Sequence, residues 1–555
     1  MKPRQARYGC SRMFLSAYSI GGTVRSCASG ILTLLCAAVP ATIQAQFTYT
    51  TNNGTISITA WQGPGEAAIP GTINGLPVTA VADFAFSHAK GLTNVIFPTS
   101  VTNIGNAAFY GSTDLFSITV NPLNPSYCSA DGVLFDKDQA RLIKWPPAKA
   151  GSCSIPNTVI TIADGAFANA TSLTNVVIPG SVSNVGVGAF SYCRSLTTIA
   201  LPNSVSQIGS QAFGWCFNLA GVTMPDTITS IGEEAFAYCR SLTNVTIPQG
   251  VISIASGMFL ECTDLVAVSI PDSATRIEDA VFGDCGSLAN IIIPEGVTTI
   301  GAYAFDYCTN LRSLSIPNSV TTLGAHAFFS CTNISAVTLS EALTSIAEGA
   351  FADCTALTNL AIPNSVAEIE AWAFSGCSCL TSIRLGSGVT NIGHAAFSYC
   401  TSLTNVTIPG NVISINGAGF EGCASLEGVF FEGNAPGVDW DGVFADAIVH
   451  FLPGTTGWGT TAPNGWALLP FGGSPARLWN AQAQPSDINF GVRTNRFGFN
   501  VRGTVNIPVV IDACEDLGHL VWASVQNCTL TNGALYFGDP EWTNHPRRFY
   551  RVRWP

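Results

Sequence analysis

The stretch from Ala235 to Ile254, Ala-Phe-Ala-Tyr-Cys-Arg-Ser-Leu-Thr-Asn-Val-Thr-Ile-Pro-Gln-Gly-Val-Ile-Ser-Ile, decides how the other residues of this 555-residue chain are read. Counted from Phe236, Cys stands at the third following position, Leu at the sixth, Val at the ninth, Ile at the eleventh, Pro at the twelfth, Val at the fifteenth and Ile at the eighteenth. The pattern recurs along the chain. Phe167, Phe190, Phe213, Phe236, Phe259, Phe282, Phe305, Phe328, Phe351, Phe374, Phe397 and Phe420 are each 23 residues apart, Phe444 follows at 24, and Phe86 and Phe109 repeat the 23-residue step upstream. A fixed period of this length marks a stack of identical supersecondary units.

The Leu-x-x-Ile-x-Ile spacing matches the strand core of a leucine-rich repeat, in which each unit adds one short parallel strand. A single unit cannot bury its own apolar positions. Stacking sets the aliphatics at the sixth, ninth and eleventh positions in ladders about 4.8 Å apart, with Phe and Cys closing the core from the opposite wall. Pro at the twelfth position ends each strand because it lacks an N–H, and Gly at the nineteenth, as at Gly209 and Gly232, supplies a turn. The expected fold is a repeat solenoid with a parallel β-sheet on one face, followed by a small C-terminal antiparallel β-domain. The motif small-Phe, Cys, Leu and Ile, followed by Ile-Pro-x-Ser-Val and Ile-Gly, resembles the BspA-like leucine-rich-repeat family of bacterial secreted and surface proteins, over residues 80 to 450. That resemblance implies a secreted or surface-attached chain, an adhesin in some members. Asp131 to Phe135 and Leu142 to Pro146 resemble the hairpin that interrupts such arrays, and alternation around Asp136 to Gln139 gives the same hairpin from turn chemistry alone.

Lys2, Arg4, Arg7, Arg12 and Arg25 precede an apolar run from Ile31 to Val39 and a small-residue site ending at Ala45, the layout of a secretory signal, with Met13 as an alternative start. The run is too short to span a bilayer, so no transmembrane segment is expected in the mature chain. The expected organisation is a signal peptide over 1–45, an N-terminal cap over 46–79 and first repeats over 80–109. A hairpin-containing insert then covers 110–163, the main array 164–447, a cap and linker 448–487, and a β-domain for sorting or attachment 488–555. Only 10% of residues are charged and the net charge is −12, which argues against nucleic acid, whose phosphates need a basic footprint.

Eleven of the 19 cysteines, from Cys193 through Cys239 to Cys423, occupy one repeat position. A spacing of 23 is not a metal motif, since zinc ligands come in close pairs. These cysteines read as small buried hydrophobes. Cys128 with Cys153, and Cys514 with Cys528, are the expected disulfides of an oxidising compartment.

Between the buried strand positions, the eighth and tenth residues should point outward and form the binding face: Asn175, Thr198, Thr223, Asn244, Thr246, Asn290, Ser313, Ser315, Thr338, Asn359, Arg384, Asn405 and Thr407. This face is small and neutral, without the Trp, Tyr and Arg anchors that dominate tight interfaces. On the opposite wall Tyr192, Trp215, Tyr238, Tyr307 and Tyr399 recur as a partial aromatic strip. The C-terminal region alternates as strands at Phe497, Phe499, Val501, then Val509, Ile511, Ala513, and is locally basic through Arg493, Arg496, Arg502, Arg547, Arg548, Arg551 and Arg553. It resembles C-terminal modules of other secreted bacterial proteins.

No His-Glu-x-x-His, Gly-x-Ser-x-Gly, phosphate-cradling Gly loop or Cys-x-x-Cys occurs, so no catalytic, cofactor-binding or metal residues and no cofactor are expected. Asp439, Asp441 and Asp446 lack the ligand spacing of a calcium loop. The expected function is a non-enzymatic, secreted or cell-surface protein, monomeric, that binds a protein or a surface polysaccharide. The alternative is a carbohydrate-binding accessory protein using Trp-rich C-terminal surfaces around Trp440, Trp458 and Trp466.

Overall fold

The computed structural model describes residues 46–438, 443–444, 447–452 and 455–458, together with most of the strands and turns between 476 and 553. The signal segment, Trp440, Trp466 and the acidic group at Asp439, Asp441 and Asp446 lie outside the described residues. The solenoid makes about 17 turns. It opens with an antiparallel pair, Phe47–Asn52 on Thr55–Trp61, and Leu76–Val81 then pairs parallel with the second of these and with Asn103–Ile104.

Two parallel ladders run along the main array. The longer strands occupy the eighth to tenth positions, as at Asn244–Thr246, whose exposed–buried–exposed pattern follows directly from the alternation in the sequence. The second ladder is made of two-residue strands such as Ser253–Ile254, where the eighteenth-position aliphatic is buried. It grows out of the insert: Val133–Asp136 pairs antiparallel with both Tyr127–Ala130 and Arg141–Lys144, and Arg141–Lys144 then pairs parallel with Thr161–Ile162.

The third wall has no strands, yet it is equally regular. Two residues before and two after each repeat Phe from Phe86 to Phe420, the backbone is left-handed; Glu234 and Tyr238 have φ of 54° and 62°. Such conformations are costly for non-glycine residues, so they must be held by their surroundings. Here the N–H groups of Glu234, Phe236 and Tyr238 donate to the carbonyls of Ser256, Met258 and Leu260 in the next turn. The loop wall is therefore a hydrogen-bonded ladder in its own right.

Inside it, the phenylalanines from Phe167 to Phe444 form one continuous stack, ring centroids 4.7 to 6.0 Å apart, begun by Trp145 at 5.7 Å from Phe167. Beside it each cysteine Sγ donates to the carbonyl of the Phe one turn earlier, as Cys308 to Phe282 at 3.2 Å. Phe282 O also accepts the N–H of Cys285, so the thiol uses its second lone pair. In the upstream turns Ser112 takes the cysteine's place and donates to Phe86.

The ladders are not equally continuous. From Ser313–Ser315 to Ala476–Leu478 the longer strands form one eight-stranded sheet, whereas before it Gly65–Ala68, Leu92–Phe97 and Ser117–Val120 form a three-stranded sheet and the strands from Gly151–Ser154 to Ala267–Ser269 pair two by two. Between the turns of Phe213 and Phe236 both ladders are interrupted: Gly221–Thr223 does not pair with Asn244–Thr246, nor Ser230–Ile231 with Ser253–Ile254. The loop wall stays closed there, through Phe213 N–H to Ala235 O and Trp215 N–H to Ala237 O.

The C-terminal β-domain consists of Arg496–Arg502 against Gln482–Gln484, Gly491–Arg493 and Ala534–Asp539, and of Pro508–Cys514 against Ala523–Thr529 and Phe549–Arg553, all antiparallel. Its core of Phe499, Val501, Val509, Ile511, Leu530 and Phe537 also contains Phe430, which stands at an outward position of the array's long ladder. The domain thus sits on the last rungs of the strand face.

The two expected disulfides are absent: Cys128, Cys153, Cys514 and Cys528 are all free thiols. Cys528 pairs with Val509 in the ladder, so Cys514, five residues further along that strand, is about 17 Å away. Cys128 and Cys153 lie in different sheets, on Tyr127–Ala130 and Gly151–Ser154, and Cys128 Sγ donates to Asp136 O at 3.1 Å.

Candidate binding surfaces

Three surfaces could meet a partner, and they differ in chemistry. On the strand face, Asn175, Thr198, Thr223, Asn244, Thr246, Asn290, Ser313, Ser315, Thr338, Asn359 and Arg384 are all exposed. Asn405 and Thr407 are half-buried, because the next outward residue, Phe430, is drawn into the terminal domain's core and stacks on His450 at 4.6 Å. The open face therefore ends near Arg384. Two shallow depressions of about 640 and 530 Å³ lie on it, lined by residues from Asn175 to Ser269 and meeting at Thr223 and Asn244. They coincide with the seam where both ladders are interrupted, and small residues at Ala200, Gly221 and Ala267 keep them open. Val177 and Ile292 are exposed apolar residues of the same face.

The loop wall carries the aromatic strip. Tyr192, Trp215 and Tyr238 stack on one another at 5.0 and 5.2 Å with nearly parallel planes. Alongside, Phe217 lies between the guanidinium groups of Arg194 and Arg240 at 5.2 and 5.4 Å, and Arg240 is paired with Glu261 at 2.7 Å. Trp215 has a ring on each face, which removes the flat surface a sugar ring would stack on. The strip instead spans the seam and clamps it from outside. Further along the wall, burial and the neighbouring Asp284 push the Asp306 carboxyl up to about 7.

The terminal domain offers a third surface, the side of the Pro508–Cys514 sheet away from its core. Asp512 is buried there and accepts hydrogen bonds from Arg551 Nε, Arg553 Nε and Ser524 Oγ at 2.9, 2.7 and 3.0 Å. Burial alone would raise its pKa, but these bonds outweigh it and hold the carboxyl below the usual range. Sequence reasoning registered the basic excess of this region but not its organisation around one aspartate, because Asp512 lies 39 residues from Arg551.

Among the described residues no three His, Cys, Asp or Glu side chains converge as metal ligands. The described histidines are dispersed: His88 packs on Tyr110, His326 on Tyr303, His394 on Trp372, and His545 bonds Glu515. Trp458 is buried against Phe451 and Phe431 in the cap and is not a surface platform. No helix of the described residues is long and apolar enough to cross a membrane.

The sequence profile described as a BspA type leucine rich repeat region matches residues 73–129, 148–265, 229–358 and 325–439, in six copies. Among solved structures, a leucine rich cell surface protein from Faecalibacterium prausnitzii is 25% identical, the match covering 72% of this chain and 96% of that one, with a TM-score of 0.41. A leucine-rich repeat protein from Bacteroides ovatus is 23% identical, covering 74% and 94%, with a TM-score of 0.44. No curated protein matches the chain.

Proposed function

This chain belongs to the BspA-type leucine-rich-repeat family, and from that premise we propose that it is an exported, non-enzymatic protein whose array binds a protein partner at the bacterial cell surface. The observation that carries the reading is the strand face from Asn175 to Arg384. It is open, neutral and studded with hydrogen-bonding side chains, and it has two depressions but no convergent titratable group. Such a face suits broad, repeated contact, in which many weak contacts add through multivalency. The terminal domain occupies one end of this face and serves attachment.

Export is tested by protease treatment of intact producing cells: cleavage of the array is expected, and a protected, unprocessed chain overturns the proposal. Binding is tested with purified chain against immobilised extracellular-matrix and serum proteins. Thr223→Tyr with Thr246→Tyr fills both depressions and is expected to weaken capture at least tenfold, and undiminished capture moves the site off this face.

A further inference from the structure

The strand face carries a knob and a hollow, placed symmetrically about the turn of Phe236. The knob is Ile292, in the turn of Phe282, which gives the long ladder no strand and is joined to it only by a bridge from Asn290 to Ala267. Its side chain stands 82% exposed at the tenth position, where Ala200, Thr223, Thr246 and Ser269 stand in the preceding turns. Val266, 48% exposed, lies one turn before it. The hollow is the larger of the two depressions, where Ala200, Ala220 and Gly221 present almost no side chain.

Ile292 and Ala200 hold the same repeat position four turns apart, with the turn of Phe236 midway between them. Val266 and Ala220 share the seventh position, Ala267 and Gly221 the eighth, two turns apart about the same midpoint. Two copies facing each other across a two-fold axis that runs along Asn244–Thr246 therefore set Ile292 of each on Ala200 of the other. The same axis brings Val266 onto Ala220 and Ala267 onto Gly221, and Asn244, with an amide donor and acceptor, onto itself. Large side chains meet small ones throughout.

Charge favours the same pairing. From Thr174 to Ile292 the seventh, eighth and tenth positions hold no charged residue, so two copies of a chain of net charge −12 meet here without the repulsion they carry elsewhere. The turns from Phe167 to Phe305 make a patch about 34 Å long and about 14 Å wide, on the order of 480 Å² per copy. A stable complex buries about 800 Å² a side, so the contact is weak between two molecules and gains strength where many copies face one another.

We propose that the partner of the strand face is a second copy of this chain, so that surfaces carrying the protein adhere to each other. The inference rests on the reading of this face as a binding surface, and it puts a weak symmetric dimer in place of the monomer expected from the sequence.

The purified full chain is followed by sedimentation equilibrium and, as a dense coat on beads, by bead clustering. A concentration-dependent dimer with a dissociation constant of about 100 µM and clustering of the coated beads are expected. Ile292→Lys and Ala200→Glu each set a lone charge into the contact, and each is expected to weaken association at least tenfold and leave the beads dispersed. Both changes in one chain place Lys against Glu twice across the axis, while within the chain the two side chains lie about 19 Å apart. This double variant is expected to cluster again, in a salt-sensitive manner. Both positions are exposed, and thermal unfolding checks that the variants are folded. The proposal is overturned by a monomer whose beads stay dispersed, by undiminished clustering of either single variant, or by a folded double variant that stays dispersed. Capture of a matrix protein by a chain that remains monomeric keeps the binding role of the face and overturns this proposal alone.

Discussion

At the scale of single residues, the cysteine row shows how one position serves packing and hydrogen bonding together. Cys308 is buried and its thiol donates to Phe282 O, and Ser112 fills the equivalent place in an earlier turn. Cys308→Ser should therefore cost less than about 1 kcal/mol, whereas Cys308→Val, which adds volume and removes the donor, should cost about 1–3 kcal/mol. Comparison of thermal midpoints checks the order. Burial of these cysteines was legible from their period, but the thiol–carbonyl bond was not, because spacing reveals the row and not the partner in the next turn. Asp306 carries the opposite kind of information. Its carboxyl ionises near 7 in the folded chain against 3.8 ordinarily, so the folded state holds an extra proton between those values and stability falls as pH rises through them. Asp306→Asn should raise the thermal midpoint more at pH 8 than at pH 5; an equal gain at both would exclude the charge as the cause.

At the scale of elements, the longer strands were legible because Leu-x-x-Ile-x-Ile alternates, and the fold expected from them is the fold observed. The second ladder was harder to read: its strands are two residues long, and Val at the fifteenth and Ile at the eighteenth position fit a turn as well as a strand. Covering of Asn405 and Thr407 was illegible, since nothing local to them announces a domain more than 70 residues away. The cysteine row, taken as one element, gives a pH prediction. Thiols ordinarily ionise near 9, and burial pushes Cys153 up to about 12 and the ladder thiols Cys285, Cys308, Cys354 and Cys377 well above their ordinary value. The folded state then keeps protons the unfolded chain has lost, so stability is complete below pH 9 and declines as pH rises toward 12. Each buried thiol contributes up to about 1.4 kcal/mol per pH unit to that slope. Alkaline unfolding should become shallower with each of these four ladder cysteines replaced by serine, and a slope unchanged after all four replacements would assign it to other groups.

At the scale of the whole molecule, every turn repeats the same contacts with its neighbours, so length should be adjustable in whole turns. Removing residues 283–305, which joins Phe282 to Asp306 in phase, should leave a folded chain with an unchanged β signature by circular dichroism. Removing 20 residues from the same place should not, because Phe, Cys and strand rows would all fall out of register. The seam between the turns of Phe213 and Phe236 gives the molecule a mechanical character that the repeat alone would lack. Its strand side is unpaired in both ladders, while its loop side is held by backbone bonds, by the Phe213–Phe236 stack and by the ring strip outside. It is built like a door, with the leaf edges free and the pins on one side. Under an end-to-end load, flexing should concentrate at this hinge, widening the depressions on the strand face before any other turn yields, and the stacked rings should spring it shut when the load is released.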